Sequence, residues 1–157
     1  MRKIRVISVG KIKEPYLQDG LKIYEKKLSF YCDFSAIHVK ESSYKNSDRQ
    51  KAIDSEADRI QTIVKSNQIT VACDEKGKTF NSISFAKLFA NWSNQGNSNI
   101  DFLIGGAYGL SDKIKSQSSL SLSLSSMTMT HQMVRLFLTE QIYRAFTILN
   151  GEKYHHS

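Results

Sequence analysis

Three glycines, Gly105, Gly106 and Gly109, close the stretch DFLIGGAYGL over residues 101–110. An apolar strand ending this way offers a floor where backbone can approach a ligand with no side chain between them. Phosphate binding is the first chemistry to test. A dinucleotide loop needs G-x-G-x-x-G in the first strand-to-helix turn and an acid roughly 20 residues later. Here the first pair is adjacent, the site is late in the chain, and no acid lies between Lys113 and Glu140. DEKGKTF carries Gly77, Lys78 and Thr79, the end of a Walker A sequence, but its required first glycine is Ala72. No G-x-S-x-G elbow is present, and the few histidines specify no triad. His38, alone in a strand pattern, reads as an ordinary core or edge residue. Cys32 and Cys73 form no C-x-x-C pair and no Cys/His set has zinc spacing, so the reading is two reduced thiols and no metal. What remains is a glycine-lined pocket at the carboxyl end of a strand, where α/β proteins bind ligands, with a tight turn that holds nothing as the competing reading.

The elements that must position this pocket alternate. Residues 3–9 read as a β-branched strand, and Pro15 sits where the first turn of a helix tolerates it. Tyr16, Leu17, Leu21, Tyr24 and Leu28 follow at helical spacing. A strand over 34–39 leads into a polar loop over 41–47. Asp48 is expected to cap a helix whose stripe is Ile53, Ala57, Ile60 and Val64. The strand 69–73 ends at Asp74 and a turn at Gly77, and Ser82 is expected to cap a helix with Phe85, Leu88, Phe89 and Trp92. The strand 100–104 then runs into the glycines. In the serine-rich stretch 116–130, Leu120, Leu122 and Leu124 alternate with serines at period two, which favours a strand over a linker. Thr130 is expected to cap a helix from His131 to about Asn150, closed by Gly151. Strands alternating with helices predict an α/β fold, a mainly parallel sheet flanked by helices.

That last helix is apolar on more than one side. Val134, Phe137, Leu138, Ile142, Ala145 and Leu149 make one face, while Met133, Leu136, Tyr143 and Phe146 widen it. A helix covering a sheet needs one buried stripe, so the band predicts a homodimer, with a wholly buried helix as the alternative.

The chain has 157 residues and a net charge of +7. That length fits a single domain, 1–157, burying roughly two thirds of its unfolded surface. No stretch approaches the about 18 apolar residues of a membrane helix and no signal peptide is seen, so a soluble, cytoplasmic protein without a membrane partner is expected. Residues 1–30 hold eight Lys/Arg (Arg2, Lys3, Arg5, Lys11, Lys13, Lys22, Lys26, Lys27) against three acids (Glu14, Asp19, Glu25). A phosphate-facing surface is therefore expected on the first strand and helix, against a merely soluble basic face.

Taken together, ISVGKIKEPYL, YEKKLSFYC, DEKGKTFNSISFA, FLIGGAYGL, LSLSSMTMTHQMVRLFLTEQIYRAF and NGEKYHHS resemble the SPOUT methyltransferases, and in particular those that methylate a pseudouridine of large-subunit rRNA. The similarity runs over essentially the whole chain. It implies a deep trefoil knot in the carboxyl-terminal half, an obligate homodimer, and S-adenosylmethionine as cofactor. Carried over by position, the cofactor contacts are Cys73, Gly105, Leu124, Ser125, Ser126, Met127, Thr128 and Met129. The implied reaction moves the sulfonium methyl to N3 of a pseudouridine in 23S rRNA, in the large subunit or the assembled ribosome. The implied catalytic set is Tyr154 and His155 from one subunit's tail beside the other's cofactor, with His131, Arg135 and Arg144 on the last helix. Against these roles stand a frayed tail, a structural His131, and an intrahelical ion pair between Arg144 and Glu140. Three positions depart from the family pattern: Thr130 stands for proline, Cys73 for leucine, and YHHS ends the chain where one residue usually follows Tyr-His. A related enzyme acting on another RNA such as a tRNA, and a catalytically silent RNA-binding module, are the competing functions.

Overall fold

The computed structural model describes residues 1–44 and 46–156; Lys45 of the expected polar loop and Ser157 of the tail lie outside the described residues. In chain order the elements are β1 (Lys3–Val9), α1 (Pro15–Leu28), β2 (Asp33–Val39), α2 (Arg49–Gln61), β3 (Ile69–Thr79), α3 (Ser82–Asn94), β4 (Ile100–Ile104), α4 (Asp112–Gln117), β5 (Leu120–Ser123) and α5 (His131–Leu149). The strands pair in the order β2-β1-β4-β3-β5, all parallel.

A parallel sheet must be covered on both faces, and strand alternation divides the apolar residues between them. Ile4, Val6 and Phe102 point to one face and meet Phe85 and Phe89 of α3 and Leu138, Ile142 and Phe146 of α5. Ile7, Val9, Ala72 and Leu103 point to the other and meet Ala57 and Ile60 of α2 and Ile114 of α4. Fully burying a side chain such as Phe89 or Phe102 contributes about 1.5–3 kcal/mol before entropy is counted. These two layers hold the strand ends, and hence the loops after them, in place.

Several local expectations need correction. Ser82 is not the cap of α3: Asn81 is, its side chain accepting from Ser84 N at 2.8 Å, while Ser82 donates to Gln141 at 2.8 Å. Asp48 occupies the cap position of α2 but makes no capping bond, its φ of −114° and ψ of 39° lying outside the extended region a cap adopts. Val64 falls beyond the end of that helix, and Leu124 beyond the end of β5. The short helix α4 was not expected. Thr130 does cap α5, accepting from Met133 N at 3.1 Å, and Gly151 follows it at φ +67°.

β3 is the largest departure. It does not stop at Cys73: its register on β5 slips between Cys73 and Lys78, both opposite Leu122, so that the intervening residues bulge and the strand then resumes. Gly77 is the closure of that bulge rather than a turn. A Cβ there would stand 2.6 Å from Ser121 O and 2.7 Å from Ser121 C, backbone atoms that cannot rotate away. A bulge re-aims side chains beside a site, and this one brings Asp74 and Glu75 to the cleft described below.

Arg5 thins the expected basic surface on the first strand. Its guanidinium is buried and forks onto fully buried Asp101, its register neighbour on β4, with Nε–Oδ1 2.7 Å and Nη2–Oδ2 2.6 Å. Arg2 lies over the Phe146 ring at 5.6 Å, and burial lowers its pKa. α5 is not wholly buried: Met133, Phe137 and Leu149 stay 37–40% exposed, and α1, which packs Gly20 against Leu136, exposes Tyr16 and Ile23. No helix among the described residues is long and apolar enough to cross a membrane.

Candidate active site

The loops after β3, β4 and β5 enclose a cleft of about 770 Å³. Its apolar lining is Cys73, Ile104, Leu110, Leu122 and Leu124, and Gly105, Gly106 and Gly109 line it beside them. The far wall is the irregular segment 124–130, held by Ser123 Oγ donating to Ser125 O at 2.9 Å, Met127 N to Ser125 Oγ at 3.0 Å, and Thr128 Oγ1 to Glu75 at 3.0 Å. Asp74, Glu75 and Glu14 add carboxylates, with Lys115 3.5 Å from Asp74. Apolar walls beside carboxylates suit a ligand with an apolar part and a cationic part, and the volume lies in the range of about 300–1,000 Å³ usual for cofactor pockets. Burial pushes the Cys73 thiol up to about 12, so it lines the cleft as a neutral group.

The glycines have a different reason from the expected one. A Cβ on Gly105 would meet Gly109 C at 2.4 Å and Leu110 N at 2.7 Å, atoms of its own loop. The tight turn, not a ligand, excludes a side chain there. Gly109, at φ +81°, needs the left-handed region, and Gly106 pairs with it across the turn.

Of the expected catalytic residues, only His131 reaches this cleft. Its pKa is lowered, first by burial and then by the neighbouring Arg135 charge, so it is neutral near pH 7. Arg135 is buried and does not line the cleft, donating to Gly10 O at 2.7 Å and to Val9 O, contacts that tie α5 to the end of β1. Burial brings its pKa down to about 10. Arg144, Tyr154 and His155 form a separate cluster that does not line the cleft. Arg144 forks onto Glu140, the ion pair anticipated as a competitor, and also donates to His155 Nδ1 at 3.2 Å. Because arginine can only donate, this contact requires the His155 proton to sit on Nε2. Tyr154 donates to Glu140 at 2.9 Å and lies edge-on to Tyr143 at 4.8 Å, with Arg144 over its ring at 4.7 Å. Burial, then hydrogen bonds to Tyr24 and Glu140, raise the Tyr154 pKa. The tail is therefore pinned, and Tyr31 donating to Glu152 at 2.7 and 2.8 Å pins it further.

The model of a family described as predicted SPOUT methyltransferase matches residues 2–155. The chain belongs to the SPOUT methyltransferases. S-adenosylmethionine is the methyl donor of this family. The SPOUT chain is 41% identical over 97% of its length to ribosomal RNA large subunit methyltransferase H of Clostridium botulinum, covering 98% of that protein. It is 42% identical over 98% of its length to the protein of the same name from Halothermothrix orenii, covering 99% of it. Among solved structures, a probable methyltransferase from Bordetella pertussis shares the fold at a TM-score of 0.58, with 8% identity over 90% of this chain and 95% of that one.

Within this SPOUT methyltransferase the expected cofactor contacts Cys73, Gly105, Leu124, Ser125, Met127, Thr128 and Met129 all line the one cleft, and Ser126 stands outside its wall. Sequence reasoning missed Asp74 and Glu75, which needed the bulge to reach the cleft, although two acids at the end of a strand were a readable signal. It also missed Glu14, Arg49 and Tyr108, for which no spacing gave notice.

Proposed function

We propose that this protein transfers the methyl group of S-adenosylmethionine to N3 of a pseudouridine in large-subunit rRNA, acting as a homodimer with the knotted winding of its family. The observation that carries the reading is near-full-length identity of 41% to a ribosomal RNA large subunit methyltransferase H, joined to a cleft walled by seven of the eight expected cofactor positions. When bound, the cofactor supplies a methyl group already activated on a sulfonium. The protein's task is then alignment and charge. Cys73, Leu122 and Leu124 would shield the apolar part of the cofactor from water, and the loop backbone over 124–129 would offer it hydrogen-bond partners. Asp74 and Glu75 would provide a negative field for a cationic group held in the cleft.

The tail cluster supports a site shared between subunits. Tyr154, His155 and Arg144 are ordered yet lie away from their own cleft, while α1 and α5 expose Tyr16, Ile23, Met133 and Phe137, which gives a partner an apolar surface to cover. Seated beside the partner's cofactor, Arg144, still paired with Glu140, would lend positive charge to the base as its N3 proton passes to solvent water, Tyr154 would contact the base, and His155 would donate from Nε2. His131 closes the cofactor side of the same cleft.

The test is mass spectrometry of 23S rRNA from a strain lacking the protein. Loss of one N3-methylated pseudouridine, restored by the wild-type chain and not by His155→Ala, is expected; an unchanged rRNA profile overturns the substrate. Mixing His155→Ala with Leu124→Trp subunits should recover activity if tail and cleft act in trans, and complete failure of such mixtures overturns the shared site.

A further inference from the structure

One part of the cleft is not used by this reading. Beyond the expected cofactor positions the lining includes Arg49, at the start of α2, and Tyr108, in the glycine loop. Arg49 is exposed and its guanidinium lies 5.2 Å from the Tyr108 ring centroid. A second such pair involves the same turn of α2: the Lys51 ammonium lies 5.9 Å from the ring of Tyr44, which is 47% exposed. No salt bridge to Arg49 or Lys51 is found among the described residues. Over residues 40–51 the sequence carries four basic residues, Lys40, Lys45, Arg49 and Lys51, against two acids, Glu41 and Asp48.

Two cations at the start of α2, each beside a tyrosine and in no salt bridge among the described residues, bring charge and flat apolar faces together near the mouth of the cleft. That combination matches single-stranded RNA, whose phosphates pair with cations and whose unstacked bases stack on aromatic rings. The edge is continuous with the cleft through Arg49 and Tyr108, so a strand lying on it leads into the place where a target base must be presented.

We propose that Tyr44, Arg49, Lys51 and Tyr108 form an RNA-gripping edge at the mouth of the cleft, holding the unpaired nucleotides that flank the target. Arg49 and Lys51 contact phosphates; Tyr44 and Tyr108 stack bases. This rests on the reading of the cleft as an RNA methyltransferase site. It differs from it in assigning work to residues that the reading leaves without a role.

The test uses the full-length dimer and ribosomal particles purified from a strain lacking the protein, with binding followed by co-sedimentation across a potassium chloride series. Each phosphate contact to a single strand contributes about 0.7 to the slope of log affinity against log salt, so Arg49→Ala with Lys51→Ala should reduce the slope by about 1.4. Tyr44→Leu should weaken binding about 5-fold to 150-fold with no change in slope, because stacking releases no counterions. S-adenosylmethionine affinity by calorimetry should be unchanged in every variant. Wild-type affinity and slope in both variants would overturn the edge. Loss of cofactor binding by the wild-type protein would instead overturn the methyltransferase reading. If the double substitution weakens binding equally at all salt concentrations, phosphate contact is refuted.

Discussion

Replacing Gly105 by alanine separates a glycine kept for its own loop from one kept for a ligand. The new Cβ would stand 2.4 Å from Gly109 C, 2.7 Å from Gly109 O and 2.7 Å from Leu110 N, all backbone. Ordinary carbon contact begins at about 3.5 Å, so the two sides of the turn must separate by about 1 Å. The hydrogen bond from Gly109 N to Gly106 O, 3.0 Å long, spans that same gap and would be lost. Forced overpacking costs about 1–3 kcal/mol and the bond about 0.5–1.5 kcal/mol, giving a destabilisation of about 2–4 kcal/mol. With a urea slope of about 2 kcal/mol per molar, the midpoint should fall by about 1–2 M at fixed protein concentration. Cofactor affinity should fall with it, because the same turn lines the cleft. Gly106→Ala is the control: its Cβ would meet Glu56 Oε1 at 3.1 Å and Val9 Cγ1 at 3.2 Å, side-chain atoms that can give way, so its midpoint should move far less. A Gly105→Ala protein with the wild-type urea midpoint and no cofactor binding would refute the reasoning, since the Cβ would then point into ligand space.

Two further outcomes follow from buried charge. Arg5→Met strands the fully buried Asp101 carboxylate and should cost about 3–5 kcal/mol in urea unfolding, while Arg5→Met with Asp101→Leu should recover most of it; equal losses in the single and double variants would count against a buried pair. His131 has a folded pKa below its ordinary 6.5, so the unfolded chain binds the proton more tightly and stability should fall as pH drops through and below 6.5. Urea midpoints at pH 7.5, 6.5 and 5.5 should show a shallower fall in His131→Gln, and an unaltered pH dependence would mean that His131 is not the group responsible.

Much of the fold was legible in the sequence because it rests on local periodicity. β-branched runs marked β1 and β4, Pro15 marked the start of α1, and alternating leucines marked β5 within a serine-rich stretch. Thr130 and Gly151 bounded α5, since a cap and a left-handed terminus each depend on one residue type. The residues of the cofactor cleft were legible by family resemblance, which fixes positions but not distances. Only the tertiary structure could show that Gly105 is confined by Gly109 or that Gly77 is confined by Ser121. It alone could show that Arg135 is fastened to the carbonyls of β1, and that the bulge turns Asp74 and Glu75 into the cleft. Each of these is a contact between segments distant in the chain or across a turn, where backbone meets backbone. Spacing records which residue types recur, whereas closeness is set by how the strands register and how their ends converge. The sequence alone thus determined an α/β methyltransferase chain, and the packing of strand ends decided which of its polar residues face the cleft.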